Sequence, residues 1–250
     1  KPNPEVEYAS MMEYDTEAHI PSNYLVEPPC IQNTMGEILC DRGIRQLAIS
    51  ETQKFGHVTY FWNGNRSGKF NEKLEEYIEI PSDRVPFENR PWMKAAEITD
   101  RVIDAVQEDH FDLIRLNFAN GDMVGHTGIY HAARIAVETV DLCIGRLMKA
   151  IEKAAGILIV TADHGNAEEM YERNKKTDKI KTDKNGKPSA KTAHTLNPVR
   201  FIVYDPSGAD SILVNPEVKE PGLTNIAATA FQLLGLEPPD LYDPPLLLFK

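Results

Sequence analysis

Cysteine is scarce in this 250-residue chain, and cationic residues are outnumbered. The three cysteines, Cys30, Cys40 and Cys143, are odd in number and form no C-x-x-C pair. This argues against a disulfide framework and a thiolate zinc site, and it favours a reducing compartment. Lys and Arg number 27 against 38 Asp and Glu, and a formal charge of −11 repels phosphates. We therefore predict no nucleic-acid partner.

Long apolar runs are also lacking. The longest, at residues 157–160 and 246–249, fall far below the about 20 residues that a membrane-spanning helix needs. The first four residues, KPNP, begin no signal peptide. We therefore predict a cytoplasmic protein with no membrane contact.

What the sequence does contain is a globular composition, with 42% apolar and 26% charged residues, which argues against a disordered or coiled-coil chain. Its length allows one large or two small domains. Residues 1–30 hold five prolines and no sustained hydrophobic period, so we predict a connecting segment there and a folded domain over residues 31–250.

Within residues 31–250, β-branched runs alternate with patterns of helical period. Strands are predicted at residues 45–50, 57–62, 112–118, 157–160 and 200–204. Helices are predicted at residues 35–42, 91–109, 133–151 and 224–234, with glycines 43, 156 and 235 as stops for three of them. Strands that alternate with helices predict an α/β fold whose mainly parallel sheet carries helices on both faces.

The candidate chemistry lies where polar residues follow the strands, because ligands of open parallel sheets bind beyond the carboxyl ends of the strands. Asp122 and His126 follow one strand at a spacing of four, and the adjacent Asp163 and His164 follow another. His194 would reach them only if the polar stretch 165–198 carried it back. Oxygen and nitrogen donors of this kind suit divalent Mn, Co or Mg. An ion pair on a helix surface remains the alternative for Asp122 and His126.

Two further features leave alternatives open. The stretch 165–198 contains seven lysines and reads as a solvated surface loop, with an anion-steering patch as the alternative. Lys54 follows the strand 45–50 and would add a positive charge to the same cleft, unless it is an ordinary surface lysine. The three histidines His19, His110 and His131 lack such surroundings, so we predict surface roles for them.

A phosphate ester carries about −1.5 to −2 charges at neutral pH, so a strongly acidic protein can hold one only where local cations invert the field. Two divalent ions about 4 Å apart would do so, and they would also stabilise the entering and leaving oxygens of a displacement at phosphorus.

Four segments carry a resemblance to a known family: SETQK at residues 50–54, NGDMVGHTG at 120–128, TADHGNAE at 161–168 and TAHTLNPV at 192–199. In this order and spacing they resemble the cofactor-independent (2,3-bisphosphoglycerate-independent) phosphoglycerate mutases of the alkaline-phosphatase-like superfamily. The resemblance covers about residue 28 to the end. It implies an alkaline-phosphatase-like fold for the chain.

The resemblance also implies site roles. Asp122, His126 and His194 would bind one metal ion, and Asp163 and His164 would bind a second. Lys54 would contact the transferring phosphoryl group. The resemblance implies two divalent ions, with manganese as the first choice and magnesium or cobalt as alternatives. It also implies that 2,3-bisphosphoglycerate is not required.

The reaction implied is the interconversion of 3-phosphoglycerate and 2-phosphoglycerate through a phosphoserine intermediate, an isomerase step of glycolysis and gluconeogenesis. Family members are about twice as long and place the serine nucleophile ahead of an inserted transferase domain. The resemblance therefore implies that this chain is the C-terminal half, that residues 1–30 return from the inserted domain, and that this half alone is inactive. The missing N-terminal half would be its partner, and the intact protein would be a monomer.

Two alternatives to the mutase remain open. The first is a metal-dependent phosphomonoesterase or phosphopentomutase of the same superfamily, which would share the metal ligands. The second is a non-catalytic metal-binding module that pairs with another chain. The setting of Lys54 within SETQK favours the glycerate enzyme.

Overall fold

The protein is described by a computed structural model that covers residues 7–13, 20–27, 29, 31–208 and 212–249. The predicted connecting segment 1–30 therefore lies partly outside the described residues. In its described part, Ser10 forms an isolated bridge with Tyr24.

The centre of the fold is a three-stranded parallel sheet. Strand β1 (Gln46–Glu51) lies between β2 (Glu75–Ile80) and β3 (Leu113–Asn117), and both neighbours run parallel to it. All six residues of β1 are buried. Because Ser50 pairs with Asn117, β1 and β3 end at the same edge of the sheet.

Six α-helices surround the sheet in the described part of the chain, and the two longest have the amphipathic pattern that the sequence predicted. They are α1 (Met35–Asp41), α2 (Thr52–Val58), α3 (Ala95–Glu108), α4 (Asn120–Gly125), α5 (Tyr130–Lys153) and α6 (Asn225–Leu233). Single 3₁₀ turns occur at Phe87–Asn89 and Ala167–Glu169. Among these helices none combines the length and apolar character needed to cross a bilayer.

Helices cover both faces of the sheet. On one face, Leu47 and Ile49 of β1 pack against α3 and α5 through Ile98, Val102 and Leu147. Side chains alternate along a strand, so Gln46 points to the opposite face, where its amide donates to the Gly36 carbonyl of α1. There α1 packs against α6, with Leu39 and Phe231 fully buried. The predicted α/β fold, a mainly parallel sheet with helices on both faces, is confirmed.

Two short antiparallel pairs complete the fold. Strand β4 (Leu158–Val160) pairs with β5 (Ile202–Tyr204), and β6 (Ile212–Val214) pairs with β7 (Leu247–Phe249). The prediction of a fully buried strand at 157–160 is wrong in its burial, because all three residues of β4 are half-buried. In the described part of the chain β4 pairs with one strand only, β5. Because no strand covers its other edge there, β4 is less buried than a central strand.

The predicted strand at residues 57–62 is also wrong. Residues up to Val58 belong to α2, and turns follow. The aromatic and β-branched composition favours a strand locally, but one long-range contact and one contact within the turn accompany the end of the helix instead. The Arg115 Nε donates to the Val58 carbonyl at 2.8 Å, and the Thr59 hydroxyl donates to the Phe55 carbonyl at 2.8 Å. The strand beside β1 is instead β2, which contains three glutamates in six residues and was not predicted as a strand.

The end of α5 differs slightly from its prediction. The helix ends at Lys153, two residues beyond the predicted range, and the left-handed residue after it is Ala155, with φ of 52°, instead of the predicted stop Gly156. The Gly156 amide then donates back to the Ile151 carbonyl at 3.0 Å. The other two predicted stops, Gly43 and Gly235, do have the positive φ that favours glycine.

Candidate metal centre

Helix α4 and the residue that follows it, His126, hold two of the predicted ligands beyond the carboxyl end of β3. It begins at Asn120, whose fully buried amide donates to the carbonyls of Pro91 and Trp92 at 3.0 and 2.9 Å. These bonds fix the start of the helix. Asp122 and His126, one turn apart, therefore point to the same side of α4.

Asp122, His126 and His194 form a cluster of three donor atoms. The Asp122 Oδ1 lies 3.0 Å from the His126 Nε2 and 3.1 Å from the His194 Nε2, and the two nitrogens lie 3.2 Å apart. One carboxylate oxygen and two imidazole nitrogens that converge in this way fit a divalent cation, since they belong to the donor types that Mn, Co and Zn accept. These three donor atoms fit the divalent metal ion that the family resemblance implies.

Lys54 lies on the other side of the same carboxylate. Helix α2 follows β1 directly, and the Lys54 ammonium forms an ion pair with the Asp122 Oδ2. Lys54 is only 4% exposed, so it is not an ordinary surface lysine. Burial acts to raise the pKa of Asp122, but hydrogen bonds from Lys54 and Asn166 prevail and hold that pKa below its usual value.

The Asp163 and His164 pair lies beside this cluster. The His164 ring stacks on the His194 ring, with centroids 3.5 Å apart and planes at 10°. The Asp163 Oδ1 is 3.7 Å from the His164 Nε2. The structure thus gathers all five predicted ligands and Lys54 in one region, although the three-donor cluster itself does not include Asp163 or His164. Their binding of a second ion stays a prediction.

The long loop 165–198 returns His194 to the site, as the sequence analysis required. At its base the Thr195 amide donates to the Gly165 carbonyl at 3.0 Å. Further out the loop is closed by isolated bridges that pair Tyr171 with Ala190 and Thr182 with Pro188. Six of its seven lysines are exposed, and Lys191 pairs with Glu169 at 2.8 Å. The surface-loop interpretation therefore describes it well.

Sequence reasoning missed Asn166. Its Nδ2 donates to the Asp122 Oδ1 at 2.7 Å and to the Asp122 carbonyl at 3.2 Å, which links the loop after β4 to α4. Its place two residues after His164 was the one available signal. Glu168 was missed as well; it accepts hydrogen bonds from three groups of the loops that carry the predicted ligands.

His57 is a third residue that the sequence analysis did not assign. It lies one turn after Lys54 on α2, and its ring contacts the Phe61 ring edge-on at a centroid distance of 5.2 Å. Partial burial and the nearby Lys54 charge lower the pKa of His57, although Asp163 and Asp122 oppose this.

Of the three histidines that were predicted to have surface roles, the two described ones are not part of the three-donor cluster. His110 lies 3.5 Å from Glu108 and is exposed, and His131 contacts the neighbouring Tyr130 ring. His19 lies outside the described residues.

The close approach of Asn166 to α4 gives a testable result. A Cβ at Gly125 would lie 2.5 Å from the Asn166 Oδ1, whereas a Cβ at Gly121 in the same helix would meet nothing within 4 Å. We expect Gly125→Ala to lower the free energy of unfolding by about 1–3 kcal/mol through overpacking. We expect Gly121→Ala to be neutral or to stabilise the fold by up to about 1 kcal/mol. Urea unfolding measures both, and equal effects would contradict the described contact.

Comparisons with known proteins identify the family of the chain. A model of the Metalloenzyme superfamily matches residues 2–238. The chain is 49% identical over 246 residues to the "Probable 2,3-bisphosphoglycerate-independent phosphoglycerate mutase" of Leptospira interrogans, and 49% identical over 245 residues to the Arabidopsis thaliana "2,3-bisphosphoglycerate-independent phosphoglycerate mutase 1". Each alignment covers 98% of this chain and 44% of the relative.

A solved structure of a phosphoglycerate mutase is also similar to this chain. The Leishmania mexicana phosphoglycerate mutase, determined at low cobalt concentration, matches with a TM-score of 0.92 and 45% identity, over 99% of this chain and 45% of that one. This chain thus spans less than half the length of these relatives. The family resemblance predicted from the four segments is confirmed, and the chain belongs to the Metalloenzyme superfamily.

Proposed function

We propose that this chain is the metal-binding part of a cofactor-independent phosphoglycerate mutase, an isomerase that interconverts 3-phosphoglycerate and 2-phosphoglycerate in glycolysis and gluconeogenesis. The observation that carries the proposal is the convergence of Asp122, His126 and His194 on one point beside the buried Lys54. The similarity to mutases of bacteria, plants and trypanosomatids over nearly the whole chain supports it.

Lys54 is proposed to contact the phosphoryl group. Its ammonium is held in a buried position by Asp122, so it needs little reorganisation to meet a developing negative charge. A fixed positive charge is needed here because the chain as a whole carries −11 and would otherwise repel phosphoglycerate.

Asp122, His126 and His194 are proposed to hold one divalent ion, and Asp163 and His164 to hold the other. When bound, such ions neutralise phosphoryl charge and stabilise the entering and leaving oxygens of a displacement at phosphorus. We propose manganese as the metal, with magnesium or cobalt as alternatives, and a reaction that needs no 2,3-bisphosphoglycerate. The Asp122 Oδ1 lies next to the two imidazoles and its Oδ2 pairs with Lys54, so one carboxylate contacts both the proposed metal ligands and the proposed phosphoryl contact.

We further propose that the serine that forms the phosphoserine intermediate lies outside this chain, in a partner portion of the protein. The coverage of 44% of each relative supports this division. In this proposal residues 31–250 form the phosphatase-like metal-binding domain, and residues 1–30 connect it to an inserted transferase domain. The chain alone is then inactive. A cytoplasmic location and a monomeric intact protein stay predictions, as does the absence of membrane and nucleic-acid partners.

A chimaera tests the proposal. Residues 1–250 would replace the aligned 246-residue stretch of the Leptospira interrogans relative, which supplies the rest of the protein. With Mn²⁺, the chimaera is expected to convert 3-phosphoglycerate to 2-phosphoglycerate in an enolase-coupled assay, whereas the 250-residue chain gives no turnover. A folded chimaera that hydrolyses phosphomonoesters or isomerises ribose 1-phosphate instead would favour the phosphomonoesterase or phosphopentomutase alternative. Metal binding without any turnover would favour the non-catalytic module.

A further inference from the structure

We propose that Glu168 is a positioning residue that joins the two halves of the candidate metal centre. The inference rests on the proposed function, because it takes Asp122, His126, Asp163, His164 and His194 to be the metal ligands. It concerns how the metal-free chain holds these side chains in register. Glu168 itself would contact neither metal nor substrate.

Both carboxylate oxygens of Glu168 are engaged by the loops that carry the ligands. The Oε1 accepts a hydrogen bond from the Thr195 hydroxyl and one from the Asn197 Nδ2 at 3.1 Å. The Oε2 accepts from the Asn166 amide at 2.7 Å. Hydrogen bonds to a charged acceptor are among the stronger ones in proteins, so one side chain ties the 192–199 segment to the 161–168 segment. Burial opposes ionisation, but these donors prevail and keep the pKa of Glu168 below its usual value.

Each bonded residue leads directly to a predicted ligand. Thr195 follows His194 in the chain, and Asn166 lies two residues after His164. Asn166 also donates through its side chain to the Asp122 Oδ1 at 2.7 Å. Glu168 therefore connects, through Asn166 and Thr195, the three segments from which the five ligands come.

The two loops are closely packed around these hydrogen bonds. Gly165 lies so close to the Thr195 hydroxyl and the Glu168 carboxylate that an added Cβ would fall under 3.0 Å from both, a separation that real Cβ contacts do not show. The backbone bond from the Thr195 amide to the Gly165 carbonyl lies at the same place. A shift of either loop would therefore strain several contacts at once, and the imidazole of His194 would move with them.

The neighbouring Glu169 supplies a matched control. It has the same side chain one position along, but its carboxylate pairs with the Lys191 ammonium at 2.8 Å. That ion pair lies within the 165–198 loop, and Asn197 also contacts the same carboxylate. Removing the charge of Glu169 therefore tests the effect of a lost loop contact without the bonds that Glu168 makes to Thr195 and to the Asn166 amide.

The experiment compares Glu168→Gln and Glu169→Gln in the 250-residue chain by calorimetric titration with Mn²⁺. Outer contacts to metal ligands typically change metal affinity by about 10–100-fold, so we expect Glu168→Gln to bind Mn²⁺ at least about 10-fold more weakly. Glu169→Gln should stay within about two-fold of the unmodified chain. Urea unfolding without metal separates positioning from plain stability, because a merely structural role would lower stability in both variants and leave the Mn²⁺ affinity of the folded fraction unchanged.

A second variant keeps the test decisive if Glu168→Gln folds poorly. Thr195→Val removes the hydroxyl with little change in shape, and it should weaken Mn²⁺ binding in the same direction. In a His194→Ala background, Glu168→Gln should weaken Mn²⁺ binding by a smaller factor than in the unmodified chain, because the route through Thr195 has lost its ligand and only the route through Asn166 to Asp122 remains.

The outcomes distinguish this inference from the proposed function. If the unmodified chain binds Mn²⁺ and both Glu168→Gln and Thr195→Val bind it equally well, the positioning role is overturned and the metal site stands. If the unmodified chain binds no Mn²⁺, Mg²⁺ or Co²⁺ at all, the proposed metal site fails and the positioning role fails with it.

Discussion

Asp122→Asn is expected to weaken Mn²⁺ binding by more than about 100-fold. This exceeds the about 10–100-fold effect that is typical when a residue that only hydrogen-bonds to a metal ligand is changed. The change replaces a charged oxygen that lies 3.0 and 3.1 Å from two imidazole nitrogens with a neutral amide. It also leaves the buried Lys54 ammonium without its counter-charge. In the chimaera the same change should abolish phosphoglycerate interconversion.

Calorimetric titration and the enolase-coupled assay measure these effects. Asp100→Asn is the matched control, because Asp100 is an exposed aspartate on α3 whose partner is Arg146, and it should bind metal normally. His194→Ala is the second variant, since it removes a donor without uncovering Lys54. Normal Mn²⁺ affinity in both Asp122→Asn and His194→Ala would rule out this cluster as the metal site.

The second large effect concerns stability. Arg115→Met is expected to lower the free energy of unfolding by about 3–5 kcal/mol, the usual consequence of removing one partner of a buried ion pair. Arg115 lies on β3, is 7% exposed and donates to the Val58 carbonyl and the Gln46 side chain at 2.8 and 3.1 Å. Its Nη2 lies 3.6 Å from the Glu75 carboxylate, which is buried as well.

Urea unfolding of the metal-free chain measures this loss. Arg146→Met, which removes an arginine from an exposed ion pair with Asp100, should cost less than about 1 kcal/mol. The double variant Arg115→Met/Glu75→Gln should recover part of the loss, because no uncompensated buried charge remains. If Arg115→Met costs no more than Arg146→Met, the buried network contributes little to the fold.

The Arg115 network also shows where sequence reasoning reached its limit. The buried run of β1 and the period of α5 are local patterns, so the sequence predicted both and the α/β fold with them. The run 57–62 looks equally like a strand, but it ends a helix because Arg115, 57 positions along the chain, binds the Val58 carbonyl. No local pattern contains that contact.

The site divides in the same way. The position of Asp122 and His126 could be predicted because they follow β3, and ligands of a parallel sheet bind beyond the carboxyl ends of its strands. Lys54 could be placed near them for the same reason, but its burial and its pairing with Asp122 could not. Asp163 and His164 also follow a strand, but that strand is β4, which pairs with β5 outside the parallel sheet, so their closeness to His194 was not a consequence of sheet geometry alone. The hydrogen bonds from Asn166 to Asp122 and from Thr195 to Glu168 join residues 44 and 27 positions apart in sequence, so they become visible only when the chain is folded.

The pairing of Gly165 with Thr195 at the base of the 165–198 loop has a practical consequence. The two ends of the loop are joined by the hydrogen bond between Thr195 and Gly165, and its outer part is closed by bridges between its own residues. A change of length near Gly186, at the exposed turn, is therefore absorbed before it reaches His194. That turn is the natural position for an affinity tag or a fluorophore that has to report on the protein without disturbing its chemistry.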